Sequence, residues 1–269
     1  DAILEKLVRA KVRARFGGRL KVFVSGGAAL VPEIGVFFHA LGVRVLQGYG
    51  QTESAPVIST NRPGLERMDT VGPPLKGVEV KIAADGEILA RGELVMKGYW
   101  NEPEWTAKTV IDGWLHTGDV GEIDDKGRIK ITDRKKDFIK NSGGDMLSPS
   151  KVEGTLVMEP EIAQAMIHGD KRPYLVAVIV PKPEAIEAIA NAKGVAPDLA
   201  ALAGSKELKS AIDAALDRAN AKLALPERVK RFVIAEQPFT IENGQLSLTL
   251  IVLRQVLRVV LGYRMDSYY

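Results

Sequence analysis

The start of the chain carries apolar residues at helical spacing. In residues 2–15 this pattern predicts an amphipathic helix, with Ile3 and Leu7 on the face that we expect to meet a core. The pair Gly17-Gly18 ends the pattern, and glycine just after the last periodic residue is typical of a helix stop.

A strand, a helix and a second strand are predicted next. Apolar runs predict a short buried strand at residues 20–24 and another strand at residues 43–46. Between them, Pro32 suits the first turn of a helix that runs through Leu41. Strand, helix and strand in this order form a βαβ unit, so we expect a parallel sheet here.

Residues 67–132 show short alternating segments separated by glycine and proline turns. This pattern predicts a small antiparallel sheet or open barrel, with one helix near residues 103–110. A separate unit of mixed helices and strands is predicted to begin after Asp137. Its predicted elements are helices at 148–158, 184–192, 206–223 and 251–261, strands at 162–168, 175–180 and 229–235, and an exposed connection at 194–204.

The composition allows two folded domains and excludes several functions. The chain has 269 residues, of which 46% are apolar, enough for two domains of ordinary size. A net charge of +3 with interspersed signs argues against nucleic-acid binding. The absence of cysteine excludes disulfides and thiolate chemistry and favours a reducing compartment. No apolar run reaches membrane-spanning length, so we expect a cytoplasmic protein without a transmembrane segment.

Candidate chemistry first appears in the stretch GYGQTE, residues 48–53. The glycines remove side chains beside Tyr49, so that its ring can lie against a planar base. Thr52 can reach phosphate oxygens, and Glu53 is a hard oxygen ligand that suits Mg²⁺. Taken alone, the stretch is better explained as a β-turn with a core tyrosine and a capping threonine. The glycines of SGGAAL, residues 25–30, lack the GxGxxG spacing and alone predict only a tight strand–helix turn.

A second candidate is the stretch GWLHTGD, residues 113–119. A carboxylate at Asp119 can accept both hydroxyls of a ribose, and Arg134 can add a donor to the same sugar. The alternatives are an Asx-turn for the aspartate and a surface ion pair for the arginine. His116 is expected to be a packed neighbour of this turn, since no serine or cysteine partner stands beside it.

These two stretches and the charged run DRKKD, residues 133–137, resemble the motifs of the adenylate-forming superfamily. That superfamily includes acyl-CoA synthetases, luciferases and the adenylation domains of peptide synthetases. The motifs stand in the family's order, with GELVMKGYWNEPEWTAKTV between the first two. DRKKDFIK and IENGQLSLTL are most similar to the long-chain acyl-CoA synthetases. The resemblance runs from residue 22 to about residue 169 and more weakly to the end.

The resemblance implies a fold of two parts, α/β followed by α+β. Residues 1–135 would be the end of a large AMP-binding domain, with a βαβ sheet portion and a small β-barrel-like subdomain. Residues 136–269 would be a small mobile C-terminal α+β domain. In the family, this small domain turns about a joint so that one active site serves two half-reactions.

The resemblance also implies a reaction and a set of site residues. Long-chain fatty acid, ATP and CoA would react through an acyl-adenylate to acyl-CoA, AMP and pyrophosphate, with Mg²⁺. The implied roles are Gly27, Ala28, Gln47 and Tyr49 at the adenine, Asp119 and Arg134 at the ribose, Thr52 at phosphate, Glu53 at Mg²⁺, Gly143 and Gly144 at CoA, and Lys136 as the hinge.

Two departures from the family pattern leave an alternative open. The family's phosphate loop, rich in Gly, Ser and Thr and carrying a lysine, is missing, so we expect a C-terminal portion of a longer protein that alone is inactive. Ile251 stands where the family has the lysine that reaches the α-phosphate. The alternative to an active ligase is therefore a catalytically impaired adenylate-binding paralogue. Peripheral membrane contact and oligomerisation through the apolar C-terminal helix stay open.

Overall fold

The computed structural model describes residues 2–247 and 252–269. Ile251, the position of the expected lysine, lies outside the described residues. The chain divides into two compact units, Asp1–Lys136 and Asp137–Tyr269.

The first unit begins with helices and then combines two sheets. Its helices and turns are α1 (Ala2–Leu4), a π-helical turn (Glu5–Arg9), α2 (Ala10–Arg15), α3 (Pro32–Ala40), a 3₁₀ turn (Thr52–Ser54) and α4 (Pro103–Thr109). Its strands are β1 (Phe23–Ser25), β2 (Val45–Tyr49), β3 (Ser59–Thr60), β4 (Glu79–Ile82), β5 (Glu87–Arg91), β6 (Val110–Ile111), β7 (Trp114–Ile123) and β8 (Ile129–Arg134).

The predicted βαβ unit is confirmed by the parallel pairing of β1 with β2 across α3. The predicted burial of the first strand is wrong, because Val24 is 71% exposed. The predicted core face of the first helix is also wrong, since Ile3 and Leu7 are 74% and 57% exposed. Helical spacing selects one face of a helix, but burial needs a neighbour, and the described part of the first unit packs nothing over these residues.

The second sheet of the first unit is antiparallel and open. Its strand order is β4-β5-β7-β6. Strand β7 is long, so one of its edges pairs with β6 near its start and with β8 along the rest. The β-barrel-like subdomain predicted from the sequence is therefore wrong: within the described residues β4 pairs only with β5, and no sheet closes on itself. Buried Ile88, Ala90 and Ile129 form a core with Tyr49 and Ile58.

The second unit is an α+β arrangement with helices on both faces of one sheet. Its strands are β9 (Ile139–Lys140), β10 (Met146–Leu147), β11 (Ile162–His168), β12 (Leu175–Pro181) and β13 (Val229–Ile234). Its helices and turn are α5 (Pro149–Val157), α6 (Pro183–Lys193), α7 (Leu199–Leu202), α8 (Lys206–Asn220), a 3₁₀ turn (Leu225–Glu227) and α9 (Arg254–Asp266).

The central strand β12 shows why this unit holds together. It is buried along its whole length, antiparallel to β11 and parallel to β13. Leu175, Ala177 and Ile179 face a core that α5, α6 and α8 share, whereas Val176 and Val178 face α9. A strand with both faces covered has no polar side, which explains its unbroken apolar sequence.

The predicted elements of the second unit are largely confirmed, with two corrections. The connection predicted as exposed at 194–204 contains α7, whose Leu202 is buried. The last helix, predicted at 251–261, begins at Arg254 in the described residues and continues to Asp266. The start of α5 follows the predicted capping, since Ser148 accepts a hydrogen bond from Lys151 N ahead of Pro149.

Candidate functional site

Three of the predicted site residues meet in the first unit. The hydroxyl of Tyr49, at the end of β2, donates a hydrogen bond to Asp119 Oδ2 at 2.7 Å. Arg134 Nε lies 3.2 Å from Asp119 Oδ1, because the register of β7 and β8 places these two residues opposite each other. Arg134 reaches outward, with 61% of its side chain exposed, while Asp119 is buried.

The burial of Asp119 governs the electrostatics of this group. Burial raises the pKa of Asp119 above its ordinary value, against the opposing effects of the Tyr49 hydrogen bond and the Arg134 charge. Burial and the neighbouring carboxylate also raise the pKa of the Tyr49 hydroxyl, which therefore stays protonated and donates. Each carboxylate oxygen has more than one lone pair, so Asp119 retains acceptor capacity beyond these two partners.

Two features limit how a base could reach Tyr49. Only 8% of the residue is exposed, and its ring belongs to the core with Ile58 and Ile88. A Cβ on Gly50 would lie 1.9 Å from Pro56 O, so the second glycine of GYGQTE is required by a close backbone approach. The alternative of a core tyrosine thus describes most of the ring, and stacking on adenine stays a prediction.

The residues predicted beside the adenine lie at the carboxyl ends of β1 and β2. Gly27, in the left-handed region at φ +82°, and Ala28 follow β1 in an exposed loop. That loop runs close to the neighbouring strand, since a Cβ on Gly26 would lie 3.2 Å from Gly48 O. Gln47 is buried and donates through Nε2 to Met68 O at 2.7 Å. Its amide donor is therefore held by the protein backbone, and its adenine role stays a prediction.

Thr52 and Glu53 lie in the 3₁₀ turn that follows β2. Thr52 is exposed, and Glu53 Oε1 accepts a hydrogen bond from the hydroxyl of Tyr99 at 2.7 Å. Among the described residues, no group of three or more acidic, histidine or cysteine side chains could hold a metal ion. A single carboxylate fits Mg²⁺ only where substrate phosphates and water supply the other ligands, which is how nucleotide-bound Mg²⁺ is commonly held.

The residues that hold Asp119 in place are not predicted from the sequence. Thr117 donates to Ile88 O at 2.7 Å and accepts from Asp119 N at 3.1 Å, which ties the turn to β5. His116 is a packed neighbour, as expected, with Nδ1 3.1 Å from Glu87 Oε2. Glu87 is buried and charged, a combination that sequence could not reveal because its partners lie about thirty residues or more away in the chain.

The remaining predicted residues are not brought to this group by the described contacts. Lys136 is the last residue of the first unit and is exposed. Gly143 and Gly144 lie in the exposed loop between β9 and β10, which Asn141 and Asp145 close through side-chain hydrogen bonds. Their roles stay predictions.

Comparison with known proteins shows which family the chain resembles. Residues 1–100 match the family described as AMP-binding enzyme. The chain is therefore similar to the AMP-binding, adenylate-forming family over these residues. The chain is 37% identical over 257 residues to the long-chain-fatty-acid–CoA ligase FadD15 of Mycobacterium bovis, a match covering 95% of the chain and 43% of the relative. It is 34% identical over 285 residues to human long-chain-fatty-acid–CoA ligase 6, covering all of the chain and 41% of that protein.

Solved structures share the mixed α/β fold over part of their length. The adenylation domain of a carboxylate reductase from Mycobacterium chelonae is 29% identical, with a TM-score of 0.79 over all of this chain and 44% of its own. O-succinylbenzoate coenzyme A synthetase from Bacillus subtilis, in complex with ATP and magnesium, is 26% identical with a TM-score of 0.66, covering 88% of this chain and 46% of its own.

The chain thus spans less than half the length of these two relatives. Among its described helices, none combines the length and the apolar character that crossing a bilayer requires.

Proposed function

We propose that this chain forms part of an AMP-forming acid–thiol ligase whose substrate is a long-chain fatty acid. The observation that carries the proposal is the convergence of Tyr49, Asp119 and Arg134, which are 70 and 15 residues apart in sequence. The relatives at 34–37% identity are long-chain-fatty-acid–CoA ligases, which supports the acid and the thiol acceptor.

The site chemistry follows from the groups available. Asp119 accepts hydrogen bonds from the ribose hydroxyls through its remaining lone pairs, and the exposed guanidinium of Arg134 donates a hydrogen bond to the same sugar. Thr52 donates to phosphate oxygens. Glu53 would hold Mg²⁺ through its carboxylate, and the ion would supply charge neutralisation at the phosphates.

The reaction then proceeds in two steps. The fatty carboxylate attacks the α-phosphorus of ATP, which forms the acyl-adenylate and releases pyrophosphate. The CoA thiol, losing its proton, attacks the acyl carbon and releases AMP. The protein's contribution is positioning and charge stabilisation rather than a covalent intermediate on the enzyme.

The two compact units are proposed to be the end of the large domain and the small mobile domain of such a ligase. The unit boundary after Lys136 supports this residue as the hinge. Gly143 and Gly144, without side chains in an exposed loop, would border the path of the CoA thiol arm.

A second candidate function is an adenylate-binding protein with impaired turnover. The observation that favours it is Ile251, which supplies neither charge nor donor at the position of the expected lysine. ATP–pyrophosphate exchange by the full-length protein, with a long-chain fatty acid, separates the two. Exchange supports the ligase, whereas AMP binding without exchange supports the impaired protein. Absence of both contradicts the nucleotide site itself.

A further inference from the structure

A charged cluster outside the proposed nucleotide site lies directly beside it. Lys135 Nζ is 2.5 Å from Asp85 Oδ2 and 3.0 Å from Glu87 Oε2. Only 6% of the Glu87 side chain is exposed, so this carboxylate is charged in a largely dry place. The roles proposed above use none of these three residues.

The cluster holds both backbone groups of one residue, Gly118. Glu87 Oε1 accepts a hydrogen bond from Gly118 N at 2.9 Å, and Lys135 N donates to Gly118 O at 2.8 Å. Gly118 has φ +72°, a left-handed conformation that other residues rarely adopt. It immediately precedes Asp119, and Lys135 immediately follows Arg134. The cluster thus holds the sequence neighbours of both Asp119 and Arg134, the two residues proposed to bind the ribose.

The cluster stays ionised across the neutral range. Burial raises the pKa of Glu87, but Lys135, the Gly118 N–H and His116 outweigh burial and hold this pKa below its ordinary value. Hydrogen bonds to Asp85 and Glu87 raise the pKa of Lys135. A buried carboxylate without its cation is strongly unfavourable, so loss of the lysine forces Glu87 to move or to take up a proton.

We propose that Glu87 and Lys135 are positioning residues, which set Asp119 and Arg134 in register for the nucleotide. They touch no substrate and act through Gly118 and the β7–β8 pairing. This inference rests on the proposed function, because it requires the aspartate and the arginine to bind ribose. Since ribose contacts are the same before and during phosphoryl transfer, the effect is expected in KM for ATP rather than in kcat.

The test compares Lys135→Met with a matched control on the strand that immediately precedes it, β8. Lys135→Met keeps an unbranched side chain and removes the charge. Lys130→Met likewise removes a lysine, one that lies in β8 and pairs at 2.9 Å with exposed Glu122 of β7, far from Gly118 in the register. AMP binding to the full-length protein is measured by calorimetry. We expect Lys135→Met to weaken AMP about tenfold, the size of coupling within one network, and Lys130→Met to change it less than about twofold.

Stability and a second variant separate positioning from folding. Glu87→Gln keeps an acceptor for Gly118 N but loses the charge that faces Lys135, and it carries the test if Lys135→Met does not fold. The double variant, with both Lys135→Met and Glu87→Gln, should bind AMP with an affinity no lower than that of the single variant with the lower affinity, because the two residues act together. A merely structural role would lower the unfolding temperature and leave the AMP affinity of the folded protein unchanged.

The outcomes distinguish this inference from the function beneath it. If the folded Lys135→Met and Glu87→Gln variants bind AMP with the same affinity as the wild-type protein, the positioning role alone is overturned. A wild-type protein that binds no AMP would overturn the proposed function and the positioning role together. Weaker AMP binding with a raised KM for ATP and an unchanged kcat is the result that we expect.

Discussion

The hydrogen bond from Tyr49 to Asp119 offers a direct measure of how strongly the nucleotide site is organised before ligand arrives. Tyr49→Phe deletes the hydroxyl and retains the ring, so the core contacts with Ile58 and Ile88 remain. The deletion leaves one oxygen of a buried carboxylate without its neutral donor. Arg134 remains as the other partner of Asp119.

The magnitude follows from the charge and the burial of the acceptor. A hydrogen bond to a charged group contributes about 1.5–3 kcal/mol, and an unsatisfied buried group loses its full desolvation free energy. Because Asp119 is only 5% exposed, we expect Tyr49→Phe to lower the free energy of unfolding of the first unit by about 2 kcal/mol. The pKa of Asp119 should rise further, since one of the effects that oppose burial is removed.

The chain supplies its own probe and a matched control. All three tryptophans of the 269 residues lie in the first unit, and Trp114 is half-buried in β7, so its fluorescence in urea reports the unfolding of that unit in this chain. Tyr99 donates to Glu53 over the same 2.7 Å, but this bond is exposed. Tyr99→Phe should therefore cost less than about 0.5 kcal/mol, the usual range for surface substitutions. Equal losses in Tyr49→Phe and Tyr99→Phe would refute the argument from burial.

Three further predictions concern the second unit and the joint before it. Burial and the charge of Arg258 lower the pKa of His168 below 6.5, so the folded unit holds this imidazole neutral. The unit therefore loses stability as pH falls below 6.5, and His168→Gln should reduce that loss when unfolding is measured from pH 7 to pH 5. Lys136→Pro fixes φ at the proposed hinge and should impair thioester formation more than adenylation, whereas equal loss of both half-reactions would contradict the hinge. Ile251→Lys should raise ATP–pyrophosphate exchange of the full-length protein by about 10²–10³-fold and leave acyl transfer from synthetic acyl-adenylate to CoA unchanged. Vigorous exchange with isoleucine in place would show that the position assigned to the lysine is wrong.

The second unit was the easier part of the fold to predict. The unbroken apolar run of β12 is typical of a strand covered on both faces, and the helix at Pro149 has its cap and proline written in adjacent residues. Such signals are local, so they survive without knowledge of the tertiary structure. Burial also requires a neighbouring element. For Ile3, periodicity identifies the apolar face of the helix but cannot show whether another element packs against that face.

The candidate site shows the same division between local and distant information. Resemblance selected Tyr49, Asp119 and Arg134, but the hydrogen bond that joins the first two spans 70 residues and follows only from the fold. Closure of the antiparallel sheet is likewise a question of pairing between strands far apart in sequence, and the barrel prediction failed there. The contacts of Glu87 with Gly118 and Lys135 were invisible for the same reason.

The measurement that tests the central claim most directly is calorimetric binding of AMP and of ATP to the full-length protein and its Asp119→Ala variant. The control is Glu122→Ala, which removes an exposed carboxylate from the same strand. Because Asp119 is proposed to contact the ribose and not the phosphates, its loss should weaken AMP and ATP by the same factor, about tenfold or more, with the control unchanged. Unchanged AMP affinity in Asp119→Ala would remove this residue, and with it the proposed nucleotide site, from the account.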